Sequence, residues 1–235
     1  MPQSKTPLNP TYGEADVYYR HAKGENLFLV GSEENPYKGP WLRKQIEMFT
    51  SLGWKFLVLD MSSTGMMGQP HIIGDGWSQI ERNAIQQITS PVIIRTRNLT
   101  TLLNALDEIY VLKTEIPALK HVVVVYLGAN RALSTDDRTA LYEALKRLMD
   151  RKHGVWLAAE RFQAFPMEHM ESFHTQIVLT DDETDIEISK WAKMFHIEDL
   201  ESVDVDEQEA LFLFRGRSEG AQHLYVCPLT NRKEW

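Results

Sequence analysis

The run His121-Val122-Val123-Val124-Val125-Tyr126-Leu127 is apolar without a break and dominated by β-branched side chains. Successive side chains of a strand point to opposite faces, so a strand with one wet face alternates apolar and polar residues. A strand without that alternation has to be covered on both sides, as the central strands of parallel sheets are. This one run therefore demands a sheet between two layers of helices.

The rest of the chain supplies both in alternation. Leu27-Phe28-Leu29-Val30 reads as a short buried strand ended by Gly31, and Lys55–Asp60 as a second with an acidic residue at its carboxyl end. Pro91–Arg95 is a third, Val155–Ala159 a fifth and Thr175–Thr180 a sixth. Pro36 to Pro40 reads as a loop into a helix over Trp41–Ser51, with Pro40 in the first turn, Leu42, Ile46 and Phe49 on one face and Gly53 at its end. Further helices are predicted over Ser78–Gln87, over Leu99–Lys113 with its Leu102, Leu103, Leu106 and Ile109 stripe, and over Glu183–Phe195. Another spans Asp136–Lys152, capped by Ser134 or Thr135 and ended by Gly154. Ala210–Arg215 and His223–Cys227 bracket Gly216 to Gly220 as an antiparallel hairpin. The order implies an α/β protein with a mostly parallel central sheet, helices on both faces and a C-terminal antiparallel hairpin. Residues 1–24 read as an N-terminal arm and 25–235 as one domain.

Composition excludes several classes. With 235 residues, 43% of them hydrophobic, the chain can bury a core without disulfides or metal. Its single cysteine, Cys227, fits a reducing compartment and reads as a small buried hydrophobe. Met1–Glu14 is polar and Pro-rich, unlike a signal peptide or anchor, and no apolar run approaches the roughly 20 residues that span a bilayer. The expected location is the cytoplasm, or a virion for a viral protein. A net charge of −8 argues against broad nucleic-acid binding, and the acidic stretch Asp181 to Glu209 reads as a solvated face. The eight histidines include no pair at HExxH spacing, and Met66, Met67, Met167 and Met170 read as packing residues.

Val122 to Pro166 carries a more specific pattern. An apolar strand leads to Gly128-Ala129-Asn130-Arg131, and a helix ends in Asp150-Arg151-Lys152-His153-Gly154-Val155. A strand then runs into Ala158-Ala159-Glu160-Arg161, with Pro166 beyond. This resembles the HerA/FtsK group of RecA-like motor ATPases, which includes conjugation pumps and viral genome-packaging ATPases. In that group a strand ends in Asp-Glu-Ala, a helix in Arg-Lys-x-Gly, and the next strand in Ala-Thr-Gln-Arg before a proline. The stretch ending at Asp60 is similar to the group's second strand. The likeness runs from about Leu27 to Pro228 and implies a RecA-like fold.

The residues that would do the chemistry depart from that pattern. A phosphate loop of the form G-x-x-x-x-G-K-[ST] offers backbone N–H groups, an ammonium and a hydroxyl to phosphate and Mg²⁺. Counted from Gly31, the second glycine position is Pro36, the lysine position Tyr37 and the hydroxyl position Lys38, so Lys38 falls one place late. Pro36 and Pro40 have no N–H, and Glu33 and Glu34 bring negative charge. Leu127 and Gly128 stand where the resemblance implies a metal ligand and a water-activating carboxylate, and Glu160 stands in place of a glutamine. The resemblance thus implies a vestigial nucleotide site at Gly31, Lys38, Gly39, Asp60 and Glu160, with no catalytic residue, no metal site and no required cofactor. A side chain such as Tyr37 is expected in part of the phosphate space.

Each residue also has a plainer reading. Asp60 at a strand end is often a turn residue, and arginines such as Arg95, Arg97 and Arg131, the candidates for touching DNA or a neighbouring subunit, are more often solvated or paired. Three functions follow. The first is a catalytically degenerate RecA-like subunit with a structural or assembly role in DNA translocation, conjugation or virus packaging, partnered with its own copies or an active ATPase relative. The second is a working ATPase that binds ATP and Mg²⁺ through Lys38 or Lys44 and Asp60 or Glu160. The third is a non-motor interaction domain that shares only the architecture.

Overall fold

The computed structural model describes residues 11–12, 26–32, 34–51, 54–62, 72–73, 91–95, 98–115, 122–127, 134–150, 154–162, 165–179, 185–197, 205, 209–215 and 222–228. The strands are β1 (Thr11–Tyr12), β2 (Leu27–Val30), β3 (Lys55–Asp60), β4 (Ile72–Ile73), β5 (Val92–Arg95), β6 (Val122–Leu127), β7 (Gly154–Ala159), β8 (Thr175–Val178), β9 (Glu209–Arg215) and β10 (Gln222–Pro228). The helices are α1 (Lys38–Ser51), α2 (Leu99–Glu115), α3 (Thr135–Asp150) and α4 (Asp185–Met194), with a 3-10 helix at Met167–Ser172. All these strands join one sheet in the order β1-β10-β9-β8-β2-β7-β6-β3-β5-β4. From β8 through β4 every pairing is parallel. β9 runs antiparallel to both β8 and β10, which forms the expected terminal hairpin.

The val-rich strand does lie inside the parallel part, between β7 and β3. Alternation along its neighbours divides the core into two. Phe28, Val30, Leu57, Leu59, Val155, Leu157 and Ala159 face a layer that includes Leu102 and Leu106 of α2, Leu141 and Leu148 of α3 and Trp191 of α4. Leu27, Leu29, Phe56, Val58, Trp156 and Ala158 face Trp41, Leu42, Ile46 and Phe49 of α1. Phe28, Phe173, Phe165 and Tyr142 form a chain of ring contacts on the first side, at 4.9 to 5.4 Å between centroids. Met170, fully buried, fills space in the same cluster, as a packing methionine does.

Several boundaries differ from the sequence reading. Helix α1 starts at Lys38 rather than Trp41, because the side-chain oxygen of Asn35 accepts the Tyr37 N–H (2.9 Å) and its carbonyl accepts that of Lys38 (3.3 Å). Pro40 still falls in the first turn, where a missing N–H leaves nothing unsatisfied. Of the two caps the sequence offered, Ser134 caps α3, accepting the Asp137 N–H on its hydroxyl (3.2 Å), and the helix begins at Thr135 rather than Asp136. Gly154 does not end a helix; it is the first, buried residue of β7, paired with Val123. The helix expected over 78–87 and the glycine at 53 lie outside the described residues. Two residues of the expected arm, Thr11 and Tyr12, pair in parallel with β10.

A buried polar residue fixes the amino end of β2. Asn26 donates from Nδ2 to the Ser172 carbonyl (3.1 Å) and accepts the Val155 N–H on Oδ1 (3.0 Å). Its carbonyl accepts the N–H groups of His174 and Thr175 at 3.0 and 3.1 Å. One side chain thereby ties β2 to β7 and to the approach to β8.

Candidate functional site

Register places the carboxyl ends of the parallel strands along one edge. Val30 of β2 pairs with Ala159, Leu127 of β6 with Ala158 of β7, and Asp60 of β3 with both Leu127 and Arg95. The loop after β2 opens onto this edge beside the ends of β7 and β6, where the sequence placed it.

Gly31 is shaped for that position. Its φ is +147°, its N–H donates to the Ala159 carbonyl (3.1 Å), and an added Cβ would lie 2.4 Å from Cβ of Leu179. Beyond it, the loop turns its donors inward. The Glu34 N–H goes to the Ser32 hydroxyl (3.1 Å), that of Asn35 to the Ser32 carbonyl (3.3 Å), and those of Tyr37 and Lys38 to Asn35. Pro36 and Pro40 have no N–H to offer.

Lys38 is the first residue of α1 and 1% exposed, and its ammonium donates to the carbonyls of Gly31 (2.5 Å) and Ala159 (2.7 Å). It joins the end of β2 to the end of β7 from inside the loop. Counted from Gly31 it falls one place late for the motif, and it stands as the first residue of α1, just after the turn at Asn35. Tyr37, expected in the phosphate space, packs against the α1-side core. Gly39 is buried as the second residue of α1. Replacing Lys38 with methionine removes two charge-assisted hydrogen bonds but also a buried charge, so a net loss of about 2 kcal/mol is expected. Urea unfolding reads it; a change below about 0.5 kcal/mol would show that the ammonium does not hold the two strand ends together.

Asp60 stands three strands from β2, about 14 Å at an interstrand spacing of about 4.8 Å. It is 0% exposed and both its oxygens are engaged. Oδ1 accepts the N–H of Ser62 (2.9 Å) and also its hydroxyl, while Oδ2 accepts Nε and Nη2 of Arg95 at 3.4 and 3.2 Å. The bond to the residue two places on is the Asx turn, the plainer of the two roles foreseen. Arg95, 34% exposed, is paired with it. Glu160 follows Ala159 directly at the end of β7 and is partly exposed. The structure thus groups Gly31, Lys38, Gly39 and Glu160 at one place and Asp60 with Arg95 at another. Arg97, Arg131 and Gly128 lie outside the described residues. Among the described residues no His, Cys, Asp and Glu side chains gather in a set of three or more able to hold a metal. Nor is any described helix long and apolar enough to cross a membrane.

Sequence reasoning missed Asn26 and the Lys38 contacts. A polar residue just ahead of an apolar run reads as loop, and a lysine read as a vestigial phosphate ligand gives no sign of the carbonyls it meets.

A parallel run in the order β8-β2-β7-β6-β3, with helices on both faces and the loop–helix unit following β2, is a RecA-like α/β fold. No family model and no curated protein matches the chain. Among solved structures, the genome packaging NTPase B204 of Sulfolobus turreted icosahedral virus 2, in complex with ATP-gammaS, is similar with a TM-score of 0.59 and 10% identity, over 87% of this chain and 98% of that one. B204, the DNA-packaging ATPase of Sulfolobus turreted icosahedral virus, gives 0.58 at 12% identity over the same shares. ATPases 2 and 3 of EssC from Geobacillus thermodenitrificans give 0.50 at 12% identity, over 91% of this chain and 41% of that one. At such identities the likeness is one of fold.

Proposed function

We propose that this chain is a RecA-like subunit of a DNA-translocation machine of the packaging kind, in which nucleotide hydrolysis has been lost and the fold serves assembly. The observation that carries the reading is the loop after β2. Its N–H groups at Gly31, Glu34, Asn35, Tyr37 and Lys38 go to protein acceptors, and its lysine ammonium goes to two strand-end carbonyls. A triphosphate would have to compete with each of these, next to Glu34 and Glu160. Leu127 ends the central strand and offers neither a metal ligand nor a base. The likeness to packaging proteins supplies the setting, and partners of the same fold, either further copies or an active relative, supply the assembly.

The test is nucleotide binding. A ligand at 100 times its Kd adds about 2.7 kcal/mol, or about 5–10 °C in Tm for a chain of this size. No such shift is expected with millimolar ATP and Mg²⁺, and no turnover. Mg²⁺-dependent turnover that disappears in a folded Lys38→Met variant would overturn the proposal.

One observation favours a second reading, that of a working ATPase. Lys38 begins a helix directly after the loop, the place from which a phosphate-loop lysine acts. If its ammonium leaves the two carbonyls for phosphate, ATP raises the Tm of the wild type but not of Lys38→Met.

A further inference from the structure

Asn26, where β2 joins the sheet between β7 and β8, donates its backbone N–H to Nδ1 of His174 over 3.1 Å. A ring nitrogen that accepts a hydrogen bond carries a lone pair and no proton, so His174 is held neutral with its proton on Nε2. Protonation of Nδ1 would set two N–H groups against each other at hydrogen-bond distance. The bonds from Asn26 to Ser172, Val155, Thr175 and the His174 N–H join amides that do not titrate. They hold the geometry that keeps Nδ1 pointed at the amide.

We infer that His174 makes the junction of β2 with β8 acid-sensitive, closed while the imidazole is neutral and loosened when it takes a proton. At this end β2 and β7 present Asn26, Leu27, Gly154 and Val155, none of them titratable. The 3-10 helix brings exposed Glu171, and His169, which stacks on Tyr142 at 4.3 Å. On β9, Arg215 follows Phe214, the rung partner of Thr175. β2 is four residues long and runs straight into Gly31, so the junction and the Gly31–Lys38 loop lie at opposite ends of one short strand. Acid would loosen the strand that positions the loop.

The sign follows from linkage. A histidine that stays neutral when closed but titrates near 6.5 when open binds its proton only in the open form. The stability it contributes is present above about pH 6.5 and is lost as the pH falls further. Between pH 7.5 and 5.5 the opening constant is expected to rise about tenfold. Hydrogen exchange of the Asn26 and Val155 amides, corrected for intrinsic rates, measures it. In His174→Asn the side-chain oxygen stands where Nδ1 stood and accepts at every pH, so the tenfold rise should vanish. A wild type without the rise, or a His174→Asn variant that keeps it, would overturn the inference. Should the variant not fold, ¹⁵N spectra of the wild-type imidazoles at pH 7.5 decide: His174 must show a bare Nδ1 and a protonated Nε2, and the opposite tautomer sinks the idea.

Discussion

Asn26→Ala should lower the stability of the protein by about 3–5 kcal/mol, or about 10 °C or more in Tm. The substitution removes the acceptor of the buried Val155 N–H and the donor to the Ser172 carbonyl. A buried donor left without its acceptor costs about 1–3 kcal/mol, the carbonyl somewhat less, and the vacated volume adds a packing loss. The backbone bonds from Asn26 to His174 and Thr175 are retained, because they do not use the side chain. Asn26→Asp makes a sharper comparison. It keeps an acceptor for Val155 but faces the Ser172 carbonyl with a buried carboxylate, so it should be at least as damaging as alanine at neutral pH. Urea unfolding of the three proteins tests the argument. A loss below about 1 kcal/mol for Asn26→Ala would mean that β2 is held by its ladder bonds alone.

Asn26 also marks where the sequence stops being informative. Eight of the ten described strands, all but β1 and β4, were legible because burial on two faces writes itself as unbroken apolar runs, and the four described α-helices because one buried face writes itself at helical spacing, as with Leu42, Ile46 and Phe49. The Asx turn at Asp60 was legible for the same reason, its partner Ser62 being two residues away. Asn26 meets residues 129 to 149 positions distant, and nothing local to it announces them. Arg95 was visible as a charged strand end, but its pairing with Asp60 depends on β5 lying beside β3, a fact of topology. Gly154 was misread because a glycine after a helix and a glycine opening a buried strand look alike in sequence. Lys38 was singled out in the sequence by its nearness to the motif position, but its two carbonyl contacts depend on the ends of β2 and β7 lying side by side. What the sequence states well is period; what it hides is contact between distant elements.

Gly31→Ala should cost about 3–5 kcal/mol, and for reasons that hold whether or not a nucleotide ever binds. The residue sits at φ +147°, a backbone conformation that L side chains rarely adopt, which alone costs on the order of 1–3 kcal/mol. A new methyl group would also fall 2.4 Å from Cβ and 2.8 Å from Cδ1 of Leu179. Cδ1 can swing away, but Cβ is fixed by the backbone, and the Leu179 N–H is bound to the Val30 carbonyl (2.9 Å) one residue before the glycine. Relief requires β2 and the end of β8 to part, which strains the Gly31 N–H bond to Ala159 and the two carbonyl contacts of Lys38. Leu179→Ala leaves the offending Cβ in place, so it should not rescue Gly31→Ala; Leu179→Gly removes it and should recover part of the loss. A double-mutant cycle on urea midpoints separates the two terms, since the backbone strain persists in the rescued pair while the clash does not. Equal rescue by Leu179→Ala and Leu179→Gly would show that the leucine's branch, rather than its Cβ, sets the limit. A Gly31→Ala variant as stable as the wild type would show that the turn after β2 relaxes freely, and that the loop is not held in the closed form on which the proposed loss of phosphate binding rests.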